Sequence, residues 1–190
     1  MNPDNIIYGR TYNVVLSDLG KRQIKRTAEK ISEREERPII IMSSPLRRTM
    51  ESSDIISNHF QNIPITIDDR LLETEAHTIE GKSMDSFISH QDPYGDPALE
   101  LERPEYITSR MFAALESIRT AHDGHVTCLV SHGDPLAFLM WKLMNPHVGI
   151  PPMGELGKQY YLKRSESWRI IFDEKGNVSE YEYLPQELVA

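Results

Sequence analysis

Apolar residues along this chain alternate between short continuous runs and helix-spaced sets. Ile39 to Met42 is an unbroken β-branched and apolar run, and Val126 to Val130 repeats it, the pattern of strands covered on both faces in a parallel sheet. Ile63 to Ile67 reads as another strand. Leu19, Gln23, Ile24, Thr27, Ala28 and Ile31 recur near helical spacing from about Asp18 to Glu35, with Ser17 as cap and Arg37-Pro38 as stop. Pro45 suits the first turn of a helix carrying Met50, Ile55, Ile56 and Phe60. Pro104 opens a helix to Ala121 with Ile107, Met111, Leu115 and Ile118 on one face, and Leu136 to Met144 is apolar nearly all round, so it packs inside. The tail predicts strands over Gln159 to Lys163, Trp168 to Asp173 and a last one through Tyr183, with a turn at Glu174-Lys175-Gly176-Asn177.

Strand and helix signals that alternate in this way predict a three-layer α/β/α sandwich with a mostly parallel sheet and an antiparallel edge. The polar stretch from Leu72 to Leu101, with Gly81, Pro93, Gly95 and Pro97, is long for an irregular connection, and such segments are usually lids or binding loops. No repeat, low-complexity tract or interdomain linker interrupts the 190 residues, so they read as one domain.

Composition narrows the partners. The net charge is −8, from 29 acidic against 21 basic side chains with no basic block, which argues against nucleic acid. No apolar run approaches the ~20 residues of a membrane helix, and Met1-Asn2-Pro3-Asp4 is no signal peptide, so the expected location is the cytoplasm. The one cysteine, Cys128, lies inside a strand pattern and reads as a small buried hydrophobe rather than a nucleophile. His122, His125 and Cys128 suggest a metal only superficially, because alternation sends His125 and Cys128 to opposite strand faces. Neither a metal nor another cofactor is expected.

Chemistry concentrates at two strand-to-helix junctions. Cys128-Leu129-Val130-Ser131-His132-Gly133-Asp134 places a histidine at a strand's carboxyl end, the edge where open α/β sheets bind ligands and where helix-opening amides favour an anion. Ile39 to Arg48 has the same architecture and delivers two arginines, Arg47 and Arg48, to the first helical turns. Two such junctions on one edge suggest a phosphate pocket. A guanidinium would grip two phosphoryl oxygens, a histidine would stabilise the remaining charge, and a carboxylic acid such as Glu73 would protonate a departing alkoxide. Such a set needs a nucleophile, and neither a Gly-rich Walker loop nor an Asp-rich metal cluster is present to run phosphoryl transfer otherwise. Taken alone, a strand-end histidine is more often structural than catalytic, and Arg47 reads best as part of a solvated helix face.

These residues resemble the histidine phosphatase superfamily, the phosphoglycerate-mutase-like enzymes. Ser44-Pro45-Leu46-Arg47-Arg48 is similar to that family's Ser-Pro-Leu-x-Arg motif, which puts its second phosphate-binding arginine on Arg48. Asp69-Arg70-Leu71-Leu72-Glu73 is similar to the segment whose glutamate donates the proton, with Ile79-Glu80-Gly81 following. Glu102 and Arg110 are spaced like the lid motif, with Arg103 in place of its usual Ser. Ser131-His132-Gly133-Asp134 matches the second catalytic histidine, and Leu16 to Gln23 is similar to the helix opening after the family's first loop. The resemblance implies that Arg48, Glu73 and His132 are catalytic, that Arg48, His132, Asn2 and Arg10 contact substrate, and that the substrate is a small phosphorylated metabolite or other phosphomonoester, hydrolysed without a cofactor.

One departure stands out. The family's Arg-His-Gly signature, which supplies the histidine that becomes phosphorylated, should stand just before Asn2 and is absent. The resemblance places that missing first strand centrally in the sheet, and neighbouring ladders left unpaired would cost roughly 1–3 kcal/mol per buried backbone group. The expectation is therefore a start lying upstream of this sequence. The alternative is a pseudoenzyme that binds a phosphorylated ligand without turnover, because no residue here matches the family's nucleophile.

Overall fold

The computed structural model describes residues 4–186 except 12, 35, 89 and 91. Three parallel strands, β1 (Ile40–Ser43), β2 (Ile65–Ile67) and β3 (Thr127–Val130), form a sheet in the order β2-β1-β3. Ile41 pairs with Ile65 on one side and Cys128 on the other, and Ser43 pairs with Val130. Alternation along these strands builds two cores. Ile40, Met42 and Leu129 pack with Ile107, Met111, Phe138 and Leu156 from helices α4 (Pro104–Ala121), α5 (Gly133–Met144) and α6 (Met153–Tyr160). Ile41, Cys128 and Val130 face the opposite way, onto Ala28, Ile56 and Phe60 from α1 (Asp18–Ser32) and α2 (Arg47–His59). The result is a three-layer α/β/α arrangement in which the side chains of β1 and β3 alternate between the two helical layers.

The antiparallel component is a ribbon of its own, β4 (Ser167–Phe172) against β5 (Val178–Leu184), turning through Gly176 at φ +81°. Within the polar stretch from Leu72 to Leu101 lies one short helix, α3 (Met84–Ile88), with 3-10 turns at Pro93–Gly95 and Pro97–Leu99. None of the described helices is long and apolar enough to cross a membrane.

Local signals explain most boundaries. Ser17 accepts a hydrogen bond from the Gly20 amide at 3.1 Å, capping α1 as its sequence position predicts. The helix stops at Ser32, earlier than the expected Glu35, which lies outside the described residues. Helix α2 begins at Arg47, two residues past Pro45, because Leu46 occupies the cap with extended backbone. The strand expected over Gln159 to Lys163 is replaced by the end of α6. Met153, Leu156 and Tyr160 recur at helical spacing and meet the α4/α5 core, and the Tyr160 ring lies edge-on to Trp141 at 5.9 Å. Gly154 and Gly157 lower the helix propensity of that stretch and hide this from a sequence pattern.

Leu156 is fully buried. Leu156→Ala is therefore expected to destabilise the protein by about 2–5 kcal/mol in urea unfolding. An unchanged midpoint would mean that α6 does not dock as described.

Candidate functional site

The Ser43–Val130 pairing puts the two strand-to-helix junctions side by side. The chain leaving β1 stays bound to its neighbour, since the Ser44 amide donates to the Val130 carbonyl at 2.9 Å. Two residues after β3, His132 caps α5 and is buried. Helix α2 presents its two arginines in opposite directions. The Arg47 side chain is 57% exposed and reaches Glu51 at 3.3 Å, whereas that of Arg48 is 18% exposed and turns toward His132.

The hydrogen bonds fix the state of the imidazole. Arg48 Nη2 lies 3.1 Å from His132 Nδ1, and a guanidinium has only donors, so Nδ1 is the acceptor. The ring proton is then on Nε2, which donates to Ser44 Oγ at 2.9 Å. Burial holds the imidazole well below its ordinary value, assisted by the positive charges of Arg48, Arg110 and Arg10. His132 is consequently neutral at pH 7, and its 3.6 Å approach to Glu73 Oε2 is not an ion pair. Arg48 Nη2 also donates to the Gly9 carbonyl at 3.0 Å, while Nη1 is buried with no partner among the described residues.

Glu73 is the third member. Its Oε2 lies 3.7 Å from Arg48, and its Oε1 accepts from the Thr74 amide at 2.9 Å. Burial, with the nearby charge of Asp134, pushes its carboxyl up to about 7 against the opposing pull of the Thr74 amide, Arg48 and Arg110. It therefore exchanges a proton readily near neutral pH, as a general acid must.

The loop carrying Glu73 is clamped from three sides. Arg110 of α4 donates to the Arg70 and Leu72 carbonyls at 2.7 Å each, Ser131 donates to the Leu71 carbonyl at 2.8 Å, and Arg10 Nε donates to the Glu73 carbonyl at 2.6 Å. Glu102 joins the two arginines, accepting from Arg10 at 2.8 Å and from Arg110 at 2.7 and 3.0 Å. Arg10 thus stands at the rim with its guanidinium engaged by the Glu73 loop and Glu102. The Arg10 amide donates to Glu80 at 2.7 Å, and Thr11 bonds the same carboxylate. Gly9 has φ +50° and no room for a Cβ, because the Glu80 side chain occupies that space.

Of the residues singled out in the sequence, Arg48, Glu73 and His132 come together, Arg10 reaches the perimeter, and Asn2 lies outside the described residues. His77, His90 and His147 are exposed, and burial pushes the Cys128 thiol up to about 12, consistent with a packing role. Sequence reasoning gave no role to Tyr94, Asp134 or Tyr161. The Tyr94 hydroxyl donates to Asp134 at 2.5 Å and meets Thr74 Oγ1 at 3.0 Å, and Tyr161 also bonds Asp134. Asp134 is visible in the sequence only as an acid in the first turn of α5, whereas both tyrosines arrive from distant segments.

Residues 1–157 match the histidine phosphatase superfamily, branch 1. The chain belongs to that family. No curated protein sequence matches it, but solved structures do. It is similar to Bacillus stearothermophilus YhfR, with a TM-score of 0.76 at 24% identity over 93% of this chain and 87% of that one. It is also similar to a mycobacterial glucosyl-3-phosphoglycerate phosphatase solved with inorganic phosphate, at 0.70 and 19% over 93% and 88%. A third likeness is to Entamoeba histolytica phosphoserine phosphatase solved with 3-phosphoglyceric acid, at 0.71 and 17% over 95% and 89%. For this member of the histidine phosphatase superfamily, these likenesses confirm the fold.

A carboxyl raised to about 7 in the folded protein, against about 4.3 unfolded, adds no cost where both states are protonated and destabilises the native state progressively between those values. Glu73→Gln removes that ionisation. The stability of the variant relative to wild type should therefore rise between pH 4.5 and pH 7, measured by urea unfolding across that range. A difference independent of pH would contradict the raised value.

Proposed function

We propose that this site binds the phosphoryl group of a small phosphomonoester and hydrolyses the ester through a phosphohistidine. The observation that carries this reading is the buried Arg48 Nη1 with no described partner. A buried donor left without an acceptor costs about 1–3 kcal/mol, and a phosphoryl oxygen would satisfy it with a charge-assisted bond. The amides at the α5 N-terminus favour the same anion, and neutral His132 holds a proton on Nε2 while its Nδ1 faces Arg48.

In this reading a histidine attacks phosphorus as the bond to the leaving oxygen breaks. Glu73 gives its proton to that oxygen. Water then attacks the phosphohistidine, Glu73 takes the water proton back, and phosphate leaves. None of the seven histidines in this sequence stands at the family's position for that nucleophile. The proposal therefore includes a strand that supplies it. Along its outer side β3 has no ladder partner among the described residues, and a parallel strand there would end at the edge holding Arg48 and His132. Without that strand the second reading holds, a protein that binds a phosphorylated ligand without turnover.

For substrate we favour small monoesters of moderate charge. The 72–101 loop carries Glu73, Glu75, Glu80, Asp85, Asp92 and Asp96, which disfavour highly anionic molecules nearby. The matched relatives named as phosphatases of glucosyl-3-phosphoglycerate and of phosphoserine fit that class. A cytoplasmic location accords with a chain whose single cysteine has no partner for an internal disulfide.

Inorganic phosphate should raise the melting temperature in a concentration-dependent way. Arg48→Ala should weaken that binding by about 10- to 100-fold, the loss expected of charged hydrogen bonds, while Arg47→Ala should leave it within about twofold. Equal effects from the two arginines would contradict the assignment. Turnover of p-nitrophenyl phosphate separates the enzyme from the binding protein.

A further inference from the structure

The side chains of Asp134, Tyr94, Tyr161 and Thr74 form a group next to Glu73 to which the phosphoryl-binding reading gives no task. Asp134 is in the first turn of α5, Tyr94 in the 3-10 turn Pro93–Gly95, and Tyr161 follows the last residue of α6. The Tyr161 hydroxyl sits where a Cβ on Gly133 would approach within 2.5 Å, so glycine is what lets the phenol reach the α5 N-terminus. A carboxylate only accepts, so the Tyr94 proton is committed to Asp134 Oδ2, and Thr74 Oγ1 must in turn donate to the Tyr94 oxygen. The hydrogen bonds therefore run from the residue next to Glu73 toward Asp134, polarised to favour negative charge at the Asp134 end.

We propose that Asp134, held by the Tyr94 and Tyr161 hydroxyls, is a positioning residue that carries the negative charge of this pocket and leaves the proton on Glu73. As the acid's role, this rests on the phosphatase reading of the site. Two carboxyl groups in one buried region do not both ionise easily, so the better-solvated one takes the charge. Burial raises the Asp134 carboxyl above its ordinary value, but the Tyr94 and Tyr161 hydroxyls and the positive end of α5 oppose that rise, whereas Glu73 accepts one backbone amide. The other groups facing Glu73 are Arg48 from α2 and Arg110 from α4, which favour its ionised form, and neutral His132 at the α5 cap. Together with burial, the negative charge on Asp134 opposes the two arginines and keeps the proton on Glu73.

The test follows the Glu73 carboxyl carbon by NMR in the full chain labelled with 13C-glutamate, its resonance identified by its loss in Glu73→Gln. The wild-type midpoint is expected near 7. Asp134→Asn should lower it by about one pH unit or more. Tyr94→Phe, a milder change for use should Asp134→Asn fail to fold, should lower it by a smaller amount as the proton shifts toward Asp134. A purely structural Asp134 would leave the midpoint in place, and an unmoved midpoint in the folded variant overturns the proposal. Inorganic phosphate, added in the same titrations, tests the other reading separately. If phosphate fails to bind at any pH while the midpoint still moves, the phosphatase reading falls and the charge-sharing pair stands.

Discussion

The hydrogen bond from Arg48 to His132 is the constraint on which the site depends. A guanidinium can approach an imidazole nitrogen to 3.1 Å only if that nitrogen is unprotonated, and burial beside three arginines guarantees that it is. The bond requires β1 and β3 to end level with each other, which their parallel register provides, and it requires Ser44 on the far side of the ring to receive the remaining proton. It also brings Arg48 Nη2 onto the Gly9 carbonyl, which ties the amino-terminal segment to the same point. One face of the guanidinium is thus fully occupied by protein, and the other ends in Nη1.

Around that bond, carboxylates with similar sequence surroundings take different tasks. Glu80 bonds the Arg10 amide and Thr11, and Glu102 bridges Arg10 and Arg110. Those contacts hold loops. Glu73 has its main chain gripped by the same arginines, so its side chain is left to face Arg48 and His132. Neighbouring acids that compete for the same role in the sequence are separated by where each finds a cation, and Glu73, with a single amide donor and the charge of Asp134 nearby, ends up able to carry a proton near neutral pH.

The layered fold was legible because Ile39 to Met42 and Val126 to Val130 are apolar on both faces, and the structure uses both faces, Met42 toward α4 and α5 and Ile41 toward α1 and α2. Two junctions on one edge suggested a pocket shared by the arginines and His132, and the choice of Arg48 over Arg47 came from the resemblance to the family's Ser-Pro-Leu-x-Arg motif. What escaped was set by packing rather than pattern. Helix α6 holds two glycines, which mask the helical spacing of Met153, Leu156 and Tyr160 that packs onto the core. Tyr94 and Tyr161 lie 40 and 27 residues from Asp134, in a loop and at a helix end, and no local periodicity records their convergence.

The central claim is that Arg48 Nη1, buried beside neutral His132 with no partner among the described residues, binds an anion. Crystals of the full chain soaked in inorganic vanadate or phosphate test it most directly. The account predicts an oxygen of the anion about 3 Å from Arg48 Nη1, with the Arg48–His132 bond preserved and the anion lying before the α5 N-terminus. An anion bound only elsewhere, or an Arg48 turned away from His132 to another partner, would contradict it.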